Sequence, residues 1–112
     1  TVAYQGYGRG LDLDLLHSLN QAAVGGIWPS LTFLLDLDAE TGLSRARTRN
    51  AASAEAAKEG RFEAEALSFH SRIRNGFLEL ARQDPERIKT IDASQAPGHV
   101  LADVLAIVKP LL

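Results

Sequence analysis

The sequence predicts an α/β fold with a parallel sheet, and three observations support this prediction. A nearly continuous apolar run, Leu31–Leu37, is typical of a strand that is buried on both faces. A second short apolar segment, Ile88–Ile91, predicts another strand, and helical patterns precede, separate and follow the two. Strands that alternate with helices pair in parallel. Two strands do not make a stable sheet of this kind, so we expect other strands to come from outside these 112 residues.

The first elements follow from local signals. Three glycines within Gly6–Gly10 predict an irregular loop over Tyr4–Gly10, because glycine adopts positive φ and lets the backbone approach a ligand closely. Asp12 predicts the N-cap of a helix over residues 12–24, and Gly25-Gly26 ends that pattern.

A second helix is predicted after the first strand, from about Ala39 to Arg49, with Asp38 as its N-cap. The stretch Asn50–Gly60 is rich in alanine and has no apolar face. It predicts a mobile, exposed element, because high helix propensity here comes with nothing to bury.

The C-terminal part predicts two more helices. From Arg61 onward, apolar residues recur every three or four positions and predict a long amphipathic helix that ends near Asp84-Pro85. Its apolar positions are Phe62, Ala66, Phe69, Ile73, Phe77 and Leu80. After the second strand, residues 92–95 predict a loop, and Pro97 predicts the first turn of a last helix with apolar residues at Val100, Leu101, Val104, Leu105 and Val108.

Composition narrows the possible functions. Twelve basic and 14 acidic residues give a net charge of −2, which gives no reason to expect nucleic acid or an anionic membrane as a partner. The sequence has no cysteine, which excludes disulfides, thiolate metal sites and a cysteine nucleophile. The absence of cysteine fits a cytoplasmic location. The sequence contains no apolar run of about 18 to 20 residues, and Thr1–Gly10 lack the charged and apolar regions of a signal peptide. Because the chain opens on Thr1 without a methionine, we expect it to be part of a longer protein.

Possible metal ligands are few. His17, His70 and His99 fall on separate elements without paired carboxylates at ligand spacing, which argues against a zinc site. Asp36 and Asp38 lie at the carboxyl end of a predicted strand, where α/β sheets bind ligands. Asp38 serves equally well as a helix cap, and we favour the cap.

Several segments together resemble, in order and spacing, successive blocks of bacterial thymidylate kinases. They cover nearly the whole chain: Ala3-Tyr4-Gln5-Gly6 with Arg9-Gly10, Pro29-Ser30-Leu31-Thr32, Leu35-Asp36-Leu37, Gly42–Arg49, Arg61-Phe62-Glu63, Phe69–Arg74 with Phe77–Ala81, and Ile91–Gln95. The resemblance implies a three-layer P-loop NTPase fold of the nucleoside monophosphate kinase type. It assigns these residues to the helix-rich C-terminal half of one domain, with a nucleoside loop at 1–10, a lid at about 45–61 and an adenine loop at 92–96.

The resemblance also implies an activity, the transfer of the γ-phosphoryl group of ATP to dTMP, giving dTDP. The family's phosphate cradle, G-x-x-x-x-G-K-[ST], does not occur in this sequence, nor does its Asp-Arg pair. We therefore expect the P-loop and most of the Mg²⁺ site to lie in an N-terminal half, no metal ligand in this segment, and no activity from the segment alone. The family usually forms homodimers, which the resemblance extends to this protein.

Three residues of the opening segment match the dTMP site of the family. Thr1 falls where the family places a polar side chain against the thymine edge, and Gln5 lies in the same loop, facing the nucleoside. Tyr4 matches a tyrosine beside C2′ of the sugar, where its ring would exclude a ribose hydroxyl. The ordinary alternatives are a frayed terminus for Thr1, a half-buried loop aromatic for Tyr4 and a surface amide for Gln5.

The resemblance places arginines of the lid near the phosphates. Arg49 is our candidate for the finger that stabilises charge on the transferred group, with Arg61 as a second candidate. Arg45 and Arg47 would contact the adenine face or a phosphate. A solvated helix face is the alternative, and for Arg45 we hold both readings open. This lid is longer and richer in alanine than most in the family, which leaves the choice of finger open.

Ser94 and Gln95 match the loop that borders the adenine, where backbone groups do most of the binding. The alternative is that Asp92 and Ser94 only start the last helix. Two other functions also stay open. One is a related P-loop nucleoside or nucleotide kinase with another base preference. The other is a non-catalytic helical module that associates through helix 61–83.

Overall fold

A computed structural model describes residues 1–51 and 67–112, with side chains for 1–49 and 67–112. In chain order its elements are a π-helix Val2–Gly8, α1 Leu13–Val24, β1 Thr32–Asp36, α2 Ala39–Ala51, α3 Leu67–Gln83, β2 Ile88–Asp92, α4 Pro97–Val108 and a 3₁₀ turn Lys109–Leu111. The chain is thus a helix-rich α/β structure, as predicted. The predicted mobile stretch from residue 52 and the predicted helix before residue 67 lie outside the described residues.

The two strands form a parallel pair, which confirms the pairing predicted from the order of elements. Thr32 lies opposite Ile88 and Asp36 opposite Asp92, so the two strands end together at one edge. The prediction that the first strand is buried on both faces is wrong for the described residues. No residue of β1 is fully buried, and Leu35 is 55% exposed. Within the described ranges β1 pairs with β2 alone, so nothing there covers its other edge.

The opening segment is a π-helix, and the prediction of an irregular loop is wrong. The backbone N–H of Arg9 donates to the carbonyl oxygen of Tyr4 at 2.9 Å, the i→i−5 bond of a π-helix. Gly6 and Gly8 lie in close contact with neighbouring side chains, where a Cβ would not fit without a shift. A Cβ on Gly8 would lie 3.0 Å from the ring of Phe69, so the π-helix lies directly on α3. Only Gly10, just after the helix, adopts the predicted positive φ, at +80°.

The predicted ends of α1 are confirmed. The Asp12 carboxylate accepts hydrogen bonds from the backbone N–H of Asp14 at 2.9 Å and of Leu15 at 3.4 Å, as an N-cap does. Gly25 ends the helix in the left-handed conformation with φ +60°. Both signals are local in sequence, which is why they could be read without a structure.

The core lies between α3 and the π-helix. Ala3, Phe69 and Ile73 are 2 to 5% exposed, and Leu80 packs against them. Helix α3 ends at Gln83, as predicted from Asp84-Pro85. Because Phe69 and Ile73 are already buried within the chain, the described part of this helix does not offer them for association with another protein. Helix α4 begins at Pro97 as predicted, but none of its residues is buried.

Candidate functional site

A cleft of about 240 Å³ opens where β1 ends, between the π-helix, α2 and α3. The ring of Tyr4 lines one side, Asp36 and Asp38 lie at the strand end, and Ala46 of α2 lies opposite. The structure therefore brings the predicted nucleoside segment and the start of the predicted lid to one cleft. In parallel α/β sheets, ligands bind outside the carboxyl ends of the strands, which is where this cleft lies.

Both aspartates at the strand end already have partners. Asp36 accepts two hydrogen bonds from Arg74 of α3, at 2.9 Å from Nε and 3.1 Å from Nη2, and this ion pair raises the pKa of Arg74. Asp38 caps α2: its Oδ2 accepts from the backbone N–H of Thr41 at 2.9 Å and its Oδ1 from the Thr41 hydroxyl at 2.6 Å. The hydrogen bonds from Thr41 lower the pKa of Asp38. The preferred cap interpretation of Asp38 is confirmed.

Among residues 1–51 and 67–112, no three histidine, aspartate or glutamate side chains come together as metal ligands would. His70 lines the same cleft, and its Nε2 is buried with no hydrogen-bond partner among those residues. The Asp36–Arg74 ion pair at the strand end connects α3 to β1.

Tyr4 is half exposed, but its ring contacts two other aromatic rings. The rings of Phe69 and Phe77, both on α3, each lie edge-on at 6.4 Å between centroids. Thr1 and Gln5 lie elsewhere. Thr1 lines a separate cavity of about 550 Å³ beside Trp28 and Ile88. Gln5 is exposed. Of the three residues predicted to contact dTMP, the structure places Tyr4 alone on the cleft described above.

Arg45 reaches the predicted adenine loop. Its Nη1 donates to the carbonyl oxygen of Ala93 at 3.2 Å. The N–H of Ala93 donates to the carbonyl oxygen of Asp36 at 2.9 Å, so this loop is attached to both α2 and β1. Arg45, which the resemblance places at the adenine face or a phosphate, therefore contacts the 92–96 loop, which the resemblance places beside the adenine.

The other lid arginines are distributed around α2. Arg49 follows Arg45 by four residues and falls on the same helix face, whereas Arg47 lies roughly 200° from Arg45 around the axis. All three side chains are exposed. The regular helix thus separates Arg47 from the other two, and Arg61 lies outside the described residues.

Side-chain hydrogen bonds hold the loop at residues 92–96, which the resemblance assigns to adenine. Asp92 Oδ1 accepts from the Ser94 hydroxyl at 2.6 Å and from the Ser94 backbone N–H at 2.9 Å, and these bonds lower the pKa of Asp92. Gln95 Nε2 donates to Asp103 of α4 at 2.5 Å. The interpretation that Asp92 or Ser94 caps the last helix is wrong, because its N-cap is Ala96 and no side chain caps it. The side chains of Ser94 and Gln95, the backbone N–H and carbonyl of Ala93 and the backbone N–H of Ser94 thus all have hydrogen-bond partners within the chain.

Comparison with known proteins decides which family this arrangement belongs to. A family model described as thymidylate kinase matches residues 1–104. The chain belongs to the thymidylate kinase family. The thymidylate kinase of Solidesulfovibrio magneticus is 54% identical over 112 residues, which are 100% of this chain and 54% of that protein. The thymidylate kinase of Nitratidesulfovibrio vulgaris (Miyazaki F) is 51% identical over 112 residues, 100% of this chain and 52% of its own length.

The resemblance to thymidylate kinases found in the sequence is thereby confirmed, and these relatives are phosphotransferases by name. That of Oleidesulfovibrio alaskensis is 55% identical over 108 residues, 96% of this chain and 51% of that protein. The chain spans about half the length of the curated relatives it matches. Within the part of the chain that the structure describes, no helix is both long and apolar enough to span a bilayer.

Sequence reasoning missed the contacts that hold the elements around the cleft together. Arg74 pairs with Asp36 across 38 positions, and Arg72 donates to the carbonyl oxygen of Gly8 at 3.3 Å across 64. The guanidinium of Arg9 lies 4.2 Å above the ring of Phe69. Arginines spaced along an amphipathic helix look like a solvated face, and only the packing of α3 shows which of them have partners inside the chain.

Proposed function

We propose that this chain forms the nucleoside and adenine side of an enzyme that transfers the γ-phosphoryl group of ATP to dTMP, giving dTDP. The observation that supports this most directly is the cleft at the carboxyl ends of the parallel strands, where Tyr4, Asp36 and Ala46 meet. Its walls come from the two segments that the family resemblance assigns to dTMP and to the lid. The proposal includes the three-layer P-loop NTPase fold for the complete domain.

In this proposal Tyr4 is placed beside the sugar and excludes a ribose hydroxyl by its bulk. Thr1 and Gln5 would select the thymine edge by hydrogen bonding. Thr1 lines a different cavity from Tyr4. A contact between Thr1 and the base therefore requires either that the base extends past the π-helix or that Thr1 moves on binding. Gln5 is exposed and free to turn towards a ligand.

The adenine of ATP would lie against Arg45 and the loop at residues 92–96. A guanidinium stacks well on an aromatic ring, and Arg45 is held in place by Ala93. Ser94 and Gln95 contribute by shaping the loop, because both side chains are already hydrogen-bonded within the chain. Stacking on Arg45 would then contribute most to purine binding, because the backbone groups of Ala93 and the N–H of Ser94 already have partners within the chain.

Arg49 would stabilise the charge that spreads over the γ-phosphoryl oxygens, with Arg47 as a phosphate contact and Arg61 as the second candidate for the finger. Because no phosphate-binding motif occurs in the 112 residues, the P-loop and most of the Mg²⁺ ligands are proposed to come from an N-terminal half. Mg²⁺ would neutralise the phosphates, while this chain positions the two nucleotides. Location in the cytoplasm and assembly as a homodimer are part of the proposal.

A phosphotransfer assay on the complete polypeptide tests this function. We expect ADP production with ATP and dTMP, and much slower turnover with dCMP, dUMP and AMP. The 112 residues alone should give no turnover. Preference for another nucleoside monophosphate would favour the alternative, a related P-loop kinase with a different base. Turnover by the 112 residues alone would contradict the proposal that the P-loop and most of the Mg²⁺ ligands come from an N-terminal half.

A further inference from the structure

We propose that Phe69 and Phe77 are positioning residues for Tyr4: they hold its ring from two directions and thereby determine how strongly the enzyme discriminates deoxyribose from ribose. The inference rests on the proposed function, in which Tyr4 lies beside the sugar. It concerns Phe69 and Phe77, which the sequence pattern predicted only as apolar positions of an amphipathic helix.

The geometry of the three rings is the first argument. Phe69 meets Tyr4 with an interplanar angle of 68°, and Phe77 meets it with an angle of 78°. Both are edge-to-face contacts, the arrangement that aromatic quadrupoles favour. Phe69 and Phe77 are eight residues apart on α3, about 12 Å along the axis, so they support the Tyr4 ring from its two ends.

Discrimination by exclusion depends on such support. A tyrosine ring that is 45% exposed could change rotamer on a fast timescale if nothing held it. A ribose hydroxyl would then push the ring aside at low cost, and the enzyme would accept the ribonucleotide. Exclusion therefore requires a ring that is expensive to displace, and the two phenylalanines make it so.

The backbone below Tyr4 is fixed as well. Gly8 lies against Phe69, and a Cβ on Gly76 would meet Tyr7 at 2.6 Å, so the π-helix rests on α3 without a gap. Arg72 further ties the end of the π-helix to α3 through the carbonyl oxygen of Gly8. With the backbone fixed, the side-chain rotamer is the remaining freedom of Tyr4, and the phenylalanines restrict it.

The two phenylalanines differ in how well they can be tested. Phe69 is 5% exposed, belongs to the core and has the Arg9 guanidinium on its ring, so its removal would disturb folding. Phe77 is 38% exposed and lines the cleft beside Tyr4. Replacing Phe77 by leucine removes one support while leaving a large apolar side chain in place.

The experiment measures kcat/KM of the complete polypeptide for dTMP and for the corresponding ribonucleotide, and compares their ratio. We expect Phe77→Leu to lower this ratio roughly 3- to 10-fold, the effect of one lost aromatic edge contact, mainly by raising activity on the ribonucleotide. Phe77→Tyr keeps the ring and should keep the ratio. Leu67→Ala removes an apolar side chain from the same helix that is 48% exposed and does not line the cleft, and should also keep the ratio.

Tyr4→Ala in the same assay separates the two levels of the proposal. If Tyr4→Ala lowers the ratio but Phe77→Leu leaves it unchanged, the positioning role is overturned while the proposed function stands. If Leu67→Ala lowers the ratio as much as Phe77→Leu, the effect is a general loosening of the helix and the positioning role is again overturned. If Tyr4→Ala itself leaves the ratio unchanged, Tyr4 does not discriminate between deoxyribose and ribose. Both the proposed role of Tyr4 and the positioning role of the phenylalanines are then overturned.

Discussion

Gly76 is the point at which the π-helix rests on α3, and Gly76→Ala tests that contact. An added Cβ would lie 2.6 Å from both Cβ and Cγ of Tyr7, whereas ordinary contacts begin at 3.4 Å. The two elements would have to separate by about 0.8 Å, and the atoms in the way belong to the root of the tyrosine side chain, which rotation cannot move far. Overpacking of this kind costs about 1–3 kcal/mol of stability.

Alanine also favours a helix over glycine by about 1 kcal/mol, which would partly hide the clash. Gly42→Ala is the matched control, because Gly42 also lies within a helix and its added Cβ would meet Leu37 at an unstrained 3.8 Å. The difference between the free energies of unfolding of the two variants cancels the contribution of helix propensity. We expect Gly42→Ala to be neutral or stabilising, and Gly76→Ala to be less stable than Gly42→Ala by about 1–3 kcal/mol.

Urea unfolding of the complete polypeptide, followed by circular dichroism, gives both free energies of unfolding. Equal stability of the two variants would show that Tyr7 does not rest on Gly76. The described packing of the π-helix on α3 would then be incorrect, and the backbone below Tyr4 would not be fixed as argued above.

Three other predictions concern the lid and a surface ion pair. Arg49→Ala should lower kcat by about 10³-fold with little change in the KM for dTMP, and unchanged turnover would remove Arg49 from the mechanism. Arg45→Ala loses the bond to Ala93 and the proposed adenine contact, so the KM for ATP should rise about 10-fold; a change confined to dTMP would contradict this. Arg82 lowers the pKa of Glu79 from its ordinary 4.5 to about 2. A lowered folded-state pKa adds stability that is present above pH 4.5 and lost as the pH falls towards 2, so Glu79→Gln should flatten the stability profile in that window only. Because the pair is on the surface, the effect is small and weakens with salt, and a profile identical to the parent would show that the pair contributes nothing.

The helix ends could be predicted because their signals lie within a few residues. Asp12 and Asp38 cap the helices that follow them, and Gly25 ends α1, all through contacts between near neighbours in sequence. Pro97 likewise marks the first turn of α4. For such features, the residue type and its position relative to an apolar pattern are enough.

The opening segment shows what such reasoning lacks. Gly6, Gly8 and Gly10 all suggested backbone freedom, yet only Gly10 uses a positive φ. Gly6 and Gly8 are buried against α1 and α3, and what they do depends on Leu13 and Phe69, which come later in the chain. The same holds for the candidate site, whose walls meet only because α3 packs against both the π-helix and the sheet.

The two backbone hydrogen bonds of Ala93 have a consequence for the proposed adenine binding. The N–H of Ala93 donates to the carbonyl oxygen of Asp36, and the carbonyl oxygen of Ala93 accepts from Arg45. Direct hydrogen bonds therefore join the sheet edge, the loop and α2. If adenine binds here as proposed, it meets a surface that is already formed in the folded protein. Little conformational entropy is left to lose on docking, so affinity for the base should depend chiefly on preorganisation.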